Sequence, residues 1–345
     1  MTKRFSLIVP GAFFLGVIMY FGYQLFLVPR IVKLSAPEKI PFFSVDYIYG
    51  VKSTSLISFS FGSEQVAASD LGSAIKKDIQ GIKTAGFDGI KLSFNFKGNN
   101  YYSDRIALKA AEAGLYPIGI FTGHGVKPKD RAFNKEEIAD WEAFVKSEVK
   151  KNKNIIYFWE VWNEPAMTEL RFRYGTPAEY LELLKRTEKI IREENPLAKI
   201  IVTIDYTDTQ AEAFTSEFLK LGGADYLDYL SFHPYNAIDP KARFNLVETV
   251  AQEKALAKKY NKPLLISEIG TPDSDSNEVR QAELALKLFQ TALENKIPIV
   301  WFHWSDRRLA LIDGKTGWGI VRVDNTFKPS YDKIKAFIAE TKQGL

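Results

Sequence analysis

The sequence contains no cysteine, which excludes disulfides and cysteine-based metal or redox chemistry while leaving the compartment open. Histidine is nearly as scarce, at three residues. No HExxH or similar pair occurs, so a hydrolytic metal site is rejected as the main reading. An excess of one charge is lacking too: 46 Lys and Arg against 42 Asp and Glu leave a net charge of +4. With no lysine-rich or arginine-rich block, nothing points to nucleic acid as a partner. The chain also lacks a glycine-rich phosphate loop, an internal repeat and any Pro/Gly/Ser linker that would divide it. What it has is apolar mass. At 46% hydrophobic and 14% aromatic over 345 residues, it can build a sizeable core and is not disordered.

Lys3 and Arg4 precede residues 5–28, which carry no charge and only Ser6 and Gln24 as clearly polar side chains. At about 1.5 Å per residue, a helix of that length covers the roughly 30 Å hydrocarbon core of a bilayer. Residues 1–28 therefore read as a transmembrane signal anchor inserted in the lipid bilayer through residues 5–28. A cleaved signal peptide, giving a secreted protein, is the alternative. Its apolar stretch is normally shorter, and no small-x-small cleavage site follows Val28. The balance of Lys3 and Arg4 against Arg30 and Lys33 leans slightly towards an extracytoplasmic position for the residues that follow. Residues 29–43, with Pro29 and Pro37, read as a tether.

Beyond the tether, apolar runs alternate with amphipathic helical patterns. Strands are expected at 55–61, 89–94, 116–121, 155–162, 199–204, 229–232, 263–267 and 297–304, short and rich in β-branched and aromatic residues. Helices are expected at 69–85, 136–151, 178–194, 247–260, 278–294 and 329–341, with Asp70, Ser103 and Thr176 as caps or cap neighbours. The implied fold class is α/β, a single (β/α)8 TIM barrel over residues 44–345; a doubly wound open sheet is the alternative. Active sites of such barrels lie at the carboxyl ends of the strands. His124, His233 and His303 all fall at or just after predicted strand ends. So do five of the six tryptophans, counting Trp318 in the loop after the eighth strand.

The run 155–161 closes on Trp162-Asn163-Glu164-Pro165, and the run 263–267 delivers Glu268. Two glutamates, each ending a buried strand, are the minimum equipment for splitting a glycosidic bond. Glu160, four residues before Glu164 and on the same side of its strand, reads instead as a buried carboxylate bound to a polar neighbour.

Trp162-Asn163-Glu164-Pro165 after strand four, His233-Pro234-Tyr235 after strand six, Ser267-Glu268 after strand seven and a tryptophan-rich strand eight resemble clan A glycoside hydrolases, the superfamily of families five and thirty-nine. The resemblance spans about residues 47–331. It implies a retaining mechanism with Glu164 as acid/base and Glu268 as nucleophile, and no cofactor. Family-five enzymes usually carry an arginine near the end of strand two; here Lys91 stands in its place, keeping the charge without the bidentate fork. Thr122-Gly123-His124, after strand three, matches only loosely.

Among expected substrate-binding residues, Asn163 suits a hydroxyl beside the anomeric carbon, or else forms the turn after its strand. Tyr235 suits a hydrogen bond to Glu268, with His233 behind it, unless the two form a packed turn. Trp304 suits the floor beneath the sugar, with Trp301 as a deeper alternative. His124 and Lys91 complete the set. The expected substrate is a neutral β-linked poly- or oligosaccharide. An anionic polymer is the alternative, on account of Lys127, Lys129, Arg131, Arg171, Arg173, Arg307 and Arg308 in the loops 122–134, 167–176 and 305–326. A transglycosylase using the same pair and a non-catalytic, membrane-tethered carbohydrate-binding barrel are the rival functions. The catalytic domain is expected to be monomeric.

Overall fold

The structure is a computed structural model that describes residues 32–47, 59–61, 64–66, 68–123, 131–167, 173–204, 209–235, 245–273, 277–306 and 317–344. Eight parallel strands close into a barrel: β1 Phe43–Asp46, β2 Gly89–Asn95, β3 Tyr116–Thr122, β4 Phe158–Val161, β5 Lys199–Thr203, β6 Tyr229–Phe232, β7 Leu264–Ile269 and β8 Ile299–Trp301. Closure is by β1, which pairs with both β2 and β8. A helix follows each strand: α1 Ala68–Thr84, α2 Tyr101–Glu112, α3 Lys135–Asn152, α4 Pro177–Glu194, α5 Thr209–Lys220, α6 Leu246–Lys259, α7 Glu278–Asn295 and α8 Pro329–Gln343.

Helix starts are written locally. Asn134, Thr176 and Asn245 each accept the backbone N–H three residues on, and the glutamate there accepts the N–H of the cap in return. Such reciprocal caps satisfy two orphan donors at once.

Strand alternation sorts the side chains. Phe94, Phe121 and Trp159 face outwards and pack together, Phe121 and Trp159 stacking with centroids 4.4 Å apart. Ile118, Phe158, Ile201, Leu265 and Val300 belong to one apolar cluster at the amino-terminal end of the barrel. Further along the same strands, the interior turns polar at Lys91, Glu160, Thr203, Ser231 and Ser267, all buried. A closed barrel too narrow for water must pair such groups with one another.

Three expectations are corrected. The first strand is Phe43–Asp46, not 55–61; residues 59–61 pair antiparallel with 64–66 in a separate two-stranded sheet. The true β1 has no continuous apolar run because Ser44 and Asp46 line the interior. Nor do residues 29–43 act throughout as a tether. Leu34 N–H donates to Asn154 O at 3.0 Å, the Tyr157 hydroxyl returns to Leu34 O at 2.9 Å, and Ile40 joins the apolar cluster with 4% of its surface exposed. The segment from Leu34 therefore seals the barrel's amino-terminal end. Finally, residues 155 and 156 precede β4, because their N–H groups turn back onto Asn152 O at 3.0 and 2.9 Å.

The expected membrane anchor, 1–28, lies outside the described residues. Among the described residues, no helix is long and apolar enough to cross a membrane.

Candidate active site

At the carboxyl end of β4 the chain passes through two left-handed residues, Trp162 at φ 70° and Glu164 at φ 51°. Non-glycine residues rarely adopt that region, and their occurrence around a carboxylate marks a backbone shaped for a task. The Trp162 ring is wholly buried against Phe133, Trp141 and Tyr174, which holds the kink. Glu164 is consequently delivered to the mouth of the barrel, where His233 meets it: Nδ1 lies 2.8 Å from Glu164 Oε1.

His233 belongs to an ordered chain. Its Nε2 lies 3.0 Å from Ser267 Oγ, and that hydroxyl donates to Glu160 Oε1 at 2.9 Å. Since Ser267 uses its proton on Glu160, Nε2 must carry the hydrogen that reaches Ser267. Nδ1 then shares a single proton with Glu164: either the acid donates to a neutral imidazole, or an imidazolium donates to the carboxylate. Burial opposes the imidazolium, but Glu268 and the bond to Glu164 outweigh it and raise the His233 pKa above its ordinary value.

Glu160 is the anchor beneath. Burial disfavours its charge, yet Lys91 foremost, then His233 and the hydroxyl of Thr203, hold its pKa below the usual carboxylate value. Lys91 Nζ lies 2.8 Å from Glu160 Oε2, an ion pair away from hydrogen-bond geometry, and 3.6 Å from Glu268 Oε2. It also donates to Ser267 O at 3.0 Å. Burial works against the lysine's charge, but Glu160, Glu268 and Asp46 raise its pKa, so it remains a fixed cation. Glu268 itself, at the end of β7, accepts the Tyr235 hydroxyl on Oε1 at 2.9 Å. Burial first, then Glu268, raises the Tyr235 pKa well above the phenol value, so the hydroxyl stays a donor.

The structure thus gathers Glu164, Glu268, His233, Tyr235, Lys91 and Asn163, whose amide donates to Glu164 Oε2 at 3.4 Å. Two of them differ from expectation. Lys91 is 1% exposed and sits beneath the carboxylates instead of contacting substrate. Both ring nitrogens of His233 are engaged by protein, so it too supports rather than binds. His124 lies outside the described residues.

Trp304 is also displaced from its expected role. Its indole is buried on the helix side, edge-on to Tyr331 of α8 at 6.1 Å and hard against Gly81 of α1. Trp159, Trp162 and Trp301 are buried likewise, Trp301 beside Phe289 of α7. Tryptophans at strand ends therefore report the sheet–helix interface more than the cavity. Trp318 is the exception. It is only partly buried and stands edge-on to Tyr235 at 5.6 Å and to Phe302 at 5.8 Å. Its loop is clamped: Asp306 Oδ1 accepts the N–H groups of Gly317 and Gly319 at 2.8 and 2.7 Å, and buried Lys328 grips Asp306 Oδ2 at 2.6 Å. Phe302 and Trp318 are aromatic residues beside Tyr235 that the expected set of binding residues did not include. The alternation along β8, with Val300 and Phe302 inward, was the signal for the first.

Residues 120–308, more than half the chain, match the family model described as cellulase (glycosyl hydrolase family 5). Among similar solved structures is a family 39 glycoside hydrolase from the gut symbiont Bacteroides cellulosilyticus WH2, at 20% identity and TM-score 0.65, covering 79% of this chain and 62% of that one. The β-glycosidase BGL167 matches at 13% identity and TM-score 0.64, over 89% of this chain and 98% of that one. GH5_18 from Streptomyces cattleya, solved in complex with GlcNAc, matches at 16% identity and TM-score 0.61, over 79% and 76%. These likenesses are of fold. No curated protein matches the sequence.

Proposed function

The chain belongs to glycosyl hydrolase family 5, in clan A, and is a glycoside hydrolase; on that premise we propose that it cleaves β-glycosidic bonds of a poly- or oligosaccharide with retention of configuration. The observation that carries this reading is the contrast between its two carboxyl groups. Glu268 rests between a phenol donor and an ammonium, which suits an anionic nucleophile. Glu164 shares a proton with His233, which suits a group that gives and takes one.

In the first step Glu268 attacks the anomeric carbon as the bond to the leaving oxygen breaks. Glu164 passes its proton to that oxygen, and a glycosyl ester of Glu268 forms. In the second step water enters, Glu164 takes its proton, and the oxygen displaces Glu268 as a carboxylate. His233 Nδ1, 2.8 Å from Glu164 Oε1, holds that carboxyl in place for both transfers. Asn163 has a second amide N–H for the hydroxyl beside the anomeric carbon, a contact that strengthens in the transition state. Phe302 and Trp318 offer faces for the C–H side of a pyranose. A neutral glycan suits the site, because Lys91, the one lysine beside the two carboxyls among the described residues, is already committed to Glu160 and Glu268.

Turnover of aryl β-glycosides and of β-glucan, mannan and xylan tests this, with Glu268→Ala run beside the wild type. Cleavage that disappears in the variant, with a β-configured product at the start of the reaction, is the expected result. Cleavage that persists, or an inverted product, refutes it.

We also propose that residues 5–28 anchor the enzyme in a bilayer with its catalytic domain outside the cytoplasm and monomeric. The support is the unbroken apolar composition of that stretch. Recovery of the full-length protein in the soluble fraction of disrupted cells would contradict the anchor.

A further inference from the structure

One carboxyl at the floor of the site has no task in the steps above. On β1, Phe43 stacks against Phe289 of α7 at 5.8 Å and so faces the helices. Alternation then turns Ser44 and Asp46 into the barrel. Asp46 ends the strand, 3% exposed, in register with Lys91 on one side and followed on the other by the bond from Trp304 N–H to its carbonyl at 3.0 Å. Among the described residues, no hydrogen bond or ion pair within 4.0 Å reaches its carboxyl. Lys91, the cation beside it, is taken by Glu160 and Glu268 at 2.8 and 3.6 Å. A carboxyl at the barrel mouth with no protein partner is open to completion by a group from outside.

The groups around Asp46 are Lys91 on β2, Glu160 on β4, His233 after β6 and Glu268 on β7. On the β8 side, His303 spends Nδ1 on the Ser305 N–H at 2.9 Å. Burial, against the pull of Lys91 and with the push of Glu268 and Glu160, moves the Asp46 pKa from 3.8 up to about 8. A neutral carboxylic acid has one O–H to donate as well as a carbonyl to accept.

We propose that Asp46, turned inward at the end of β1 with no protein partner for its carboxyl among the described residues, donates a hydrogen bond to a hydroxyl of the sugar held against Glu268. This rests on the assignment of Glu164 and Glu268 in the preceding subsection.

The test compares wild type, Asp46→Asn and Asp46→Ala on 4-nitrophenyl β-glucoside, β-mannoside, β-xyloside and β-glucuronide across pH 5–9. The asparagine variant keeps a donor and no ionisable group. It is expected to lose less kcat/KM than the alanine variant at pH 6 and to stay active further into the alkaline range. The alanine variant is expected to lose about tenfold in kcat/KM, the worth of one hydrogen bond left unmade. Superimposable alkaline limbs, an asparagine variant as impaired as the alanine one, or an alanine variant equal to wild type would each overturn the proposal. A carboxyl carbon seen by 13C NMR to titrate near pH 8, and missing from Asp46→Asn, supports it without any substrate; its absence from wild type overturns it. Activity surviving in Glu268→Ala would instead refute the catalytic assignment, an outcome read separately from the Asp46 variants.

Discussion

The Tyr235 hydroxyl donates to Glu268 Oε1 at 2.9 Å while Lys91 Nζ stands 3.6 Å from Oε2, so each oxygen of one carboxylate has its own partner. A carboxylate held at both oxygens is oriented as well as charged. Tyr235→Phe removes one of the two and nothing else of the ring. A hydrogen bond to a charged group is worth about 1.5–3 kcal/mol. The variant should therefore lose roughly ten- to a hundredfold in kcat/KM at an unchanged melting temperature. Steady-state kinetics with an aryl glycoside, alongside calorimetry, check both halves.

Glu164 and Glu268 should separate by leaving group. Glu268→Ala is expected to be inactive on every substrate. Glu164→Ala should retain its first step on aryl glycosides whose leaving group needs no proton, and lose roughly 10²–10⁴-fold on ordinary glycans. Equal losses on both substrate types would show that Glu164 is not the acid.

Asp46 makes stability depend on pH in a definite direction. Its pKa is 3.8 when exposed and about 8 when folded, so between those values the folded chain holds a proton the unfolded chain has released. Stability contributed by this group is thus fully present below pH 3.8 and lost as pH rises towards 8, by about 1.4 kcal/mol per unit at the steepest. Asp46→Asn cannot titrate. Its melting temperature should gain on wild type progressively from pH 4 to pH 8, and a constant difference over that range would contradict the assignment.

Two tryptophans should divide their effects. Trp304→Ala opens a hole beside Tyr331 and Gly81, and a buried aromatic lost from a core costs about 3–5 kcal/mol. Trp318→Ala removes a partly exposed ring beside Tyr235 and should raise KM for a polymer with little loss of stability. Urea melts and polymer kinetics on the pair distinguish a packing residue from a sugar platform.

Gly270 should tolerate nothing larger. A Cβ there would lie 1.8 Å from the Phe302 carbonyl oxygen, whereas at Gly81 it would lie 2.8 Å from a Trp304 ring carbon. The first clash is with backbone and moves β8 itself; the second is with a side chain. Gly81→Ala should cost about 1–3 kcal/mol, as overpacking does. Gly270→Ala should leave little soluble protein, judged by expression and circular dichroism.

The juxtaposition of Glu164 and Glu268 at strand ends was legible because its signal is local. A carboxylate straight after an apolar run, twice, with histidine and tyrosine in between, needs only strand spacing and the position of barrel sites at strand ends. The barrel was legible for the same reason, seven of eight strands being short apolar runs between helical patterns. β1 escaped because a strand that contributes Ser44 and Asp46 to a polar interior cannot read as apolar, while residues 55–61 can. Trp304 misled because alternation at the end of β8 depends on where the chain bends, which neighbouring residues do not encode.

Residue order by itself determined seven of the eight barrel strands, most of the helices and which side chains stand at those strand ends, since these follow from contacts a few residues apart. Only the tertiary structure decided which partner each carboxyl receives. Lys91 meets Glu160 and Ser267 across separations of 69 and 176 residues, and His233 meets Glu164 across 69. Pairings of that range exist once the barrel has closed, because closure alone brings non-adjacent strands to face one another across its interior.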